Sequence, residues 1–204
     1  MDEVRQILNA VKIKQQIVDP KSGAELFGPI PSSNNMFFLE RFPGLSKEEC
    51  TSLKKSYRGD IPNEYLHFLQ ITNGANILGR VLKIAGVGYD PQKYRNCKVP
   101  DPIQFVDIHR TSFTPHDWLF FATYTQWKNV GMAHACIDCS ISSEEKPVYC
   151  LPYDGDEILK TWKSFEDWFV SELNRLYLIY QKNSYELIDI VPGVVQAIQL
   201  LDES

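Results

Sequence analysis

Between residues 118 and 153 the chain carries three β-prone segments in series, and this run limits the fold more than any other feature. They are WLFFATYT (118–125), GMAHACIDCS (131–140) and KPVYCLPY (146–153). The segments between them, TQWKNV and SSEEK, are short and turn-like. Strands joined this closely pair antiparallel, because a parallel pair needs a crossover of a dozen residues or more. Helical patterns precede and follow the run, so the order is helices, strands, helices. That order predicts an α+β fold, a single domain with a central, mainly antiparallel sheet flanked by helices, and not a doubly wound parallel sheet.

The flanking patterns are specific enough to place. Residues 61–75, IPNEYLHFLQITNGA, read as an amphipathic helix with Pro62 in its first turn and Tyr65, Leu66, Phe68 and Leu69 as its apolar stripe. Asn73-Gly74, which tolerates a left-handed backbone, reads as its stop. Ser46 and Glu49 form a capping box for a helix running to about Tyr57, ended by Gly59. Residues 2–17 read as a helix, 20–35 as mostly loop, and MFFLERF (36–42) as either a short strand or a segment laid over the core. Residues 76–89 suit one or two strands and a turn, 89–102 a loop, and 102–110 a short helix. A long helix spans about 158–181, and a second, interrupted by Pro192-Gly193, spans 185–201. On the long helix Trp162, Phe165, Trp168 and Phe169 share one face, continued by Leu173, Leu176, Tyr177 and Tyr180. Asp167, Glu172 and Arg175 are predicted to face outward.

A chain of 204 residues with 44% hydrophobic and 23% charged residues suits one globular domain. The absence of an apolar run of about 18 residues predicts no transmembrane helix. The acidic, mixed N-terminus is unlike a secretory signal. Five cysteines without a regular framework then predict reduced thiols and a cytoplasmic location. The net charge is −5, yet residues 1–150 carry +1 and residues 151–204 carry −6. Nucleic-acid binders need the opposite sign, so no direct contact with nucleic acid is expected. The acidity serves either plain solubility or attraction of a basic protein.

Catalytic signatures are weak. Cys136-Ile-Asp-Cys139 is a CxxC without a second ligand pair. His134 and Cys136 share a strand face from which Cys139 points away. GxSxG is absent, and Gly86-Val87-Gly88 lacks the third glycine and the following helix of a phosphate loop. A site built from His109, His116 and Asp117 would need a deep pocket. Asp154-Gly155-Asp156-Glu157 fails the twelve-residue calcium-loop pattern. Two readings of it stand: a turn whose acids lead a helix, favoured by the helix dipole, or an acidic docking loop. No catalytic residue, cofactor or metal is expected.

Three blocks in order carry a resemblance: IPNEYLHFLQITNGA, WLFFATYTQWKNVGMAHACID and KPVYCLPYDGDEILKTWKSFEDWFVSEL. Over residues 40–175 the series resembles the SUKH superfamily, the Smi/Knr-type domain. The resemblance implies a curved mixed sheet with helices around it and no catalytic residues. The positions matching the family pattern are Pro62, Tyr65, Leu69, Asn73, Gly74, Trp118, Gly131, Phe165 and Trp168, and their implied role is structural. The domain then spans 36–176, with an N-terminal helix-and-loop extension (1–35) and a C-terminal helical extension (177–204). Bacterial proteins of this kind are immunity proteins that bind a cognate toxin, often a basic nuclease domain. Fungal relatives are regulators acting through protein contacts. Both imply a protein partner, no membrane, and a monomer or weak homodimer. Asp154, Asp156 and Glu157 are the candidate partner-binding residues.

Overall fold

The computed structural model of the chain describes residues 16–30, 36–56, 61–88, 98–103, 118–143, 145–155 and 157–182, with the single positions 5, 8 and 92. Several expectations lie outside these residues: most of the first helix, the 31–35 loop, the Gly59 break, most of the 89–97 loop, the 102–110 helix beyond Ile103, and the helix over 185–201. So do Cys97, His109, His116, Asp117 and Asp156.

Among the described residues nine strands form one sheet in strict sequence order. They are β1 (Gln16–Val18), β2 (Glu25–Pro29), β3 (Phe37–Pro43), β4 (Thr72–Ile77), β5 (Leu82–Ile84), β6 (Trp118–Trp127), β7 (Gly131–Asp138), β8 (Val148–Pro152) and β9 (Lys160–Trp162). Every neighbouring pair is antiparallel. The single parallel contact described is an isolated bridge between Gly86 and Pro102, so the mixed sheet that the resemblance implied is corrected to an antiparallel one. The three strands expected between 118 and 153 are present as β6, β7 and β8.

Three helices complete the described fold: α1 (Lys47–Ser56), α2 (Asn63–Ile71) and α3 (Phe165–Lys182). The capping box of α1 forms as expected. The Ser46 N–H donates to Glu49 Oε2 at 2.8 Å, and the Glu49 N–H donates to Ser46 Oγ at 3.1 Å. Pro62 stands one residue outside α2, at φ −58° and ψ 138°.

The end of α2 is not the glycine stop that the sequence suggested. The helix passes straight into β4 through Thr72, whose backbone is extended. Asn73 and Gly74 lie inside β4. Asn73 uses its side chain as a backbone clamp: Nδ2 donates to the Val87 carbonyl at 2.9 Å and Oδ1 accepts from the Val87 N–H at 2.6 Å. Gly74 has φ +81°, and a Cβ there would stand 2.7 Å from the Ile84 carbonyl oxygen. Only glycine suits that approach.

Two other expectations are corrected. The chain before residue 35 supplies β1 and β2, not only helix and loop, and Gln16 and Ile17 lie in a strand where the end of a helix was expected. The long helix starts at Phe165, because Lys160–Trp162 pairs with β8 as β9. Trp162 therefore reaches the core from a strand. Ser164 starts α3, its Oγ accepting from the Asp167 N–H at 3.2 Å.

Strand alternation sorts the sheet into two kinds of row. Phe27, Leu39, Ile77, Leu82, Tyr124 and Ala133 stand side by side across six strands, and all are buried. The row meets α3 at Tyr124, where the Trp168 Nε1–H donates to Tyr124 Oη at 2.8 Å. α2 packs beside it. Phe68 meets Phe165 and Phe169 at centroid distances of 5.2 and 5.5 Å, and Phe121 meets Trp168 edge-on at 4.6 Å. Glu64 ties the two helices together by accepting from the Phe165 N–H at 3.0 Å. Farther along α3, Tyr177 and Tyr180 are buried against Phe38.

Candidate protein-binding surface

Two chain reversals meet at one end of the sheet. The β6–β7 turn is closed by the Val130 N–H donating to the Trp127 carbonyl at 2.9 Å. Gly131 then enters β7 at φ +90° with open space around it. The loop between β8 and β9 starts beside this turn: the Tyr153 N–H donates to the Met132 carbonyl at 3.0 Å. It closes where the Leu159 N–H donates to the Cys150 carbonyl at 2.8 Å. Both ends of the loop are thus anchored to the sheet, while Asp154 and Glu157 between them are exposed. Their acids do not lead a helix, since β9 intervenes before α3.

Behind this end, against α3, lies a charged group that the sequence placed at the surface. Glu172 is fully buried. Its Oε2 accepts from Arg175 Nε at 2.9 Å. The Arg175 guanidinium lies 4.7 Å from the Trp127 ring centroid. Lys160 Nζ stands 4.5 Å over Trp162, and Lys128 Nζ 5.5 Å over Trp127. Burial pushes the Glu172 carboxyl up, with the Arg175 charge opposing it. The Cys150 thiol is pushed up to about 12, first by burial and then by Glu172. The expectation that Glu172 faces outward is overturned. It stands seven residues after Phe165, on the buried face of α3, and its charge is met there by Arg175.

Burial raises the Cys50 thiol, as it does that of Cys150. Burial holds Cys136 well above its ordinary value, and a thiol kept protonated is neither a nucleophile nor a ligand. Cys136 Sγ contacts the Tyr149 carbonyl, and Cys139 Sγ the Ile137 carbonyl. His134 is buried between Phe120 and Tyr153, with Nδ1 3.3 Å from Thr123 Oγ1. Among the described residues no three His, Cys, Asp or Glu side chains form a metal-binding group. A groove of about 540 Å³ opens elsewhere, at the first strands, where Glu25 and Arg41 pair with each other. Among the described residues no helix is long and apolar enough to cross a membrane.

The positions that match the family pattern divide in two. Pro62, Tyr65, Leu69, Asn73, Gly74, Phe165 and Trp168 are buried. Trp118 and Gly131 are partly exposed, Trp118 stacking on Tyr149 at 5.1 Å. The candidate loop residues Asp154 and Glu157 share their end of the sheet with Val130, Met132 and Ile158, three apolar side chains between 44% and 47% exposed. Sequence reading missed these three. Nothing in the sequence marked Met132, since β7 is buried without a break from Ala133 to Ile137 and only its first two residues reach solvent before Asp138.

No curated protein and no solved structure matches the chain. A profile of the SMI1 / KNR4 family (SUKH-1) matches residues 44–171, a span from just before α1 into α3. The chain belongs to the SMI1 / KNR4 family (SUKH-1).

Proposed function

We propose that this chain is a non-catalytic protein-binding module of the immunity type, which binds and neutralises a cognate toxin in the cytoplasm. The toxin is a basic nuclease domain, and the chain acts as a monomer or weak homodimer. One observation carries this reading beyond family membership: the anchored loop between β8 and β9 presents exposed Asp154 and Glu157 in the acidic part of the chain. A nuclease must be basic to hold phosphates, and carboxylates presented on a fixed loop attract such a surface and raise the association rate. Asp156 belongs to the same loop by sequence.

The experiment is capture and rescue. The protein encoded beside this chain's own gene is expected to co-purify with it and to lose its toxicity on co-expression. A neighbour that neither binds nor is toxic contradicts the reading. A second reading, a Smi/Knr-type regulatory scaffold that takes a host protein or peptide, draws on the Trp118–Tyr149 stack, a partly exposed aromatic plate on the sheet. It predicts binding to a protein from a distant gene, with no toxicity to relieve.

A further inference from the structure

We infer that the β6–β7 turn and the β8–β9 loop form one amphipathic docking surface, with Val130, Met132 and Ile158 at its centre and Asp154 and Glu157 at its rim, and that its occupant is a basic protein surface carrying an apolar knob. This inference rests on the protein-binding reading and specifies where the partner sits and what it offers. The two connections are one surface because of register. Ala133 pairs with Pro152, and Cys150 pairs with Lys160. The loop therefore leaves the sheet beside Met132 and returns at Ile158, two residues ahead of Lys160.

Three observations select the occupant. The central side chains are large, apolar and about half exposed, a combination that marks contact surfaces when it recurs in one place. The exposed rim carries Asp154 and Glu157 against one exposed cation, Lys128, while Lys160 is half-buried with its Nζ over the Trp162 ring. A partner therefore meets more carboxylate than ammonium around an apolar centre. A second copy of this chain would set acid against acid across a two-fold axis, since such an interface uses the same patch on both subunits. Nucleic acid would be repelled by the same carboxylates.

The test uses the full chain and the protein encoded beside its gene, with binding followed by surface-immobilised kinetics. The double variant Val130→Ser and Met132→Ser is expected to raise Kd about tenfold or more, mainly through faster dissociation. Val18→Ser, at the exposed first strand, is expected to leave Kd unchanged. Thermal melting checks that the variants fold, and Val130→Ser alone, in a turn, keeps the test open if the double variant does not. Unchanged binding by a folded Val130 or double variant overturns the docking surface while leaving the protein-binding reading intact. A wild-type chain that does not bind this probe overturns the toxin-binding reading, and the docking surface with it.

Discussion

The two faces of the central strands solve opposite problems with residues one step apart in sequence. On one, Phe27, Leu39, Ile77, Leu82, Tyr124 and Ala133 form a buried row without a charge, which meets α3 where Trp168 donates to Tyr124. On the other, the neighbouring row reads Leu26, Glu40, Asn76, Lys83, Thr123 and His134. The first row is held by removal of apolar surface from water. The second is held by pairing. Glu40 is 3% exposed. It accepts from Asn76 Nδ2 and Lys98 Nζ, each at 2.8 Å. Lys83 meets Asp101 at 3.1 Å. Lys98 and Asp101 both come from the 98–103 segment, so that segment is fastened across the polar row. A polar row tolerates burial only while its partners stay in place, and this makes one face robust and the other conditional.

The comparison breaks most readily on the apolar side. Trp168→Ala removes a fully buried ring and the donor to Tyr124. It is expected to cost about 3–5 kcal/mol in chemical denaturation, and a loss below about 1 kcal/mol would show that α3 does not anchor this face. On the polar side Glu40→Ala strips Asn76 and Lys98 of a shared acceptor. The expected cost is about 1–3 kcal/mol, because the buried Asn76 amide loses this acceptor. A neutral result would mean that the row is wetter than its burial indicates.

The third test concerns the charge that breaks the pattern on the helix side. Glu172 is faced by Arg175 from its own helix, Lys160 from β9, Cys150 from β8, Tyr124 from β6 and Lys128 from the β6–β7 turn. Its folded pKa is raised above the ordinary 4.5. The folded state therefore holds the proton more tightly than the unfolded chain. The resulting stability is full below about pH 4.5 and declines as pH rises through the raised folded value. Glu172→Gln is expected to flatten that decline, leaving the slope due to Glu64, which burial also raises. Denaturation midpoints measured upward from about pH 4.5 decide it, and an unchanged slope would mean that Glu172 keeps its charge at no cost.

What the sequence revealed follows the length over which a pattern repeats. β6, β7 and β8 were legible because each run is long and bounded by turn residues. So was the start of α1, where Ser46 and Glu49 satisfy each other locally. β1 and β9 are three residues each, too short for any period. β9 was hidden further because Trp162 stands three residues before Phe165 and so mimics a helical stripe. Asn73-Gly74 carried the chemistry of a helix stop, but tertiary contacts with Val87 and Ile84 set its use. Glu172 was misplaced because residue type was weighed above position, though its spacing put it on the buried stripe. Of the candidate surface, the acids were visible as a cluster. Val130, Met132 and Ile158 were not, because only the register of β7, β8 and β9 brings them together.

In the proposed function the β8–β9 loop is where the basic partner is first met. The most direct measurement is the association rate with the protein encoded beside this gene, from low to high salt, for wild type and for the triple variant Asp154→Lys, Asp156→Lys and Glu157→Lys. The predicted result is a fall of about tenfold or more in the low-salt rate, with a flattened salt dependence. Identical rates at every salt concentration would contradict it.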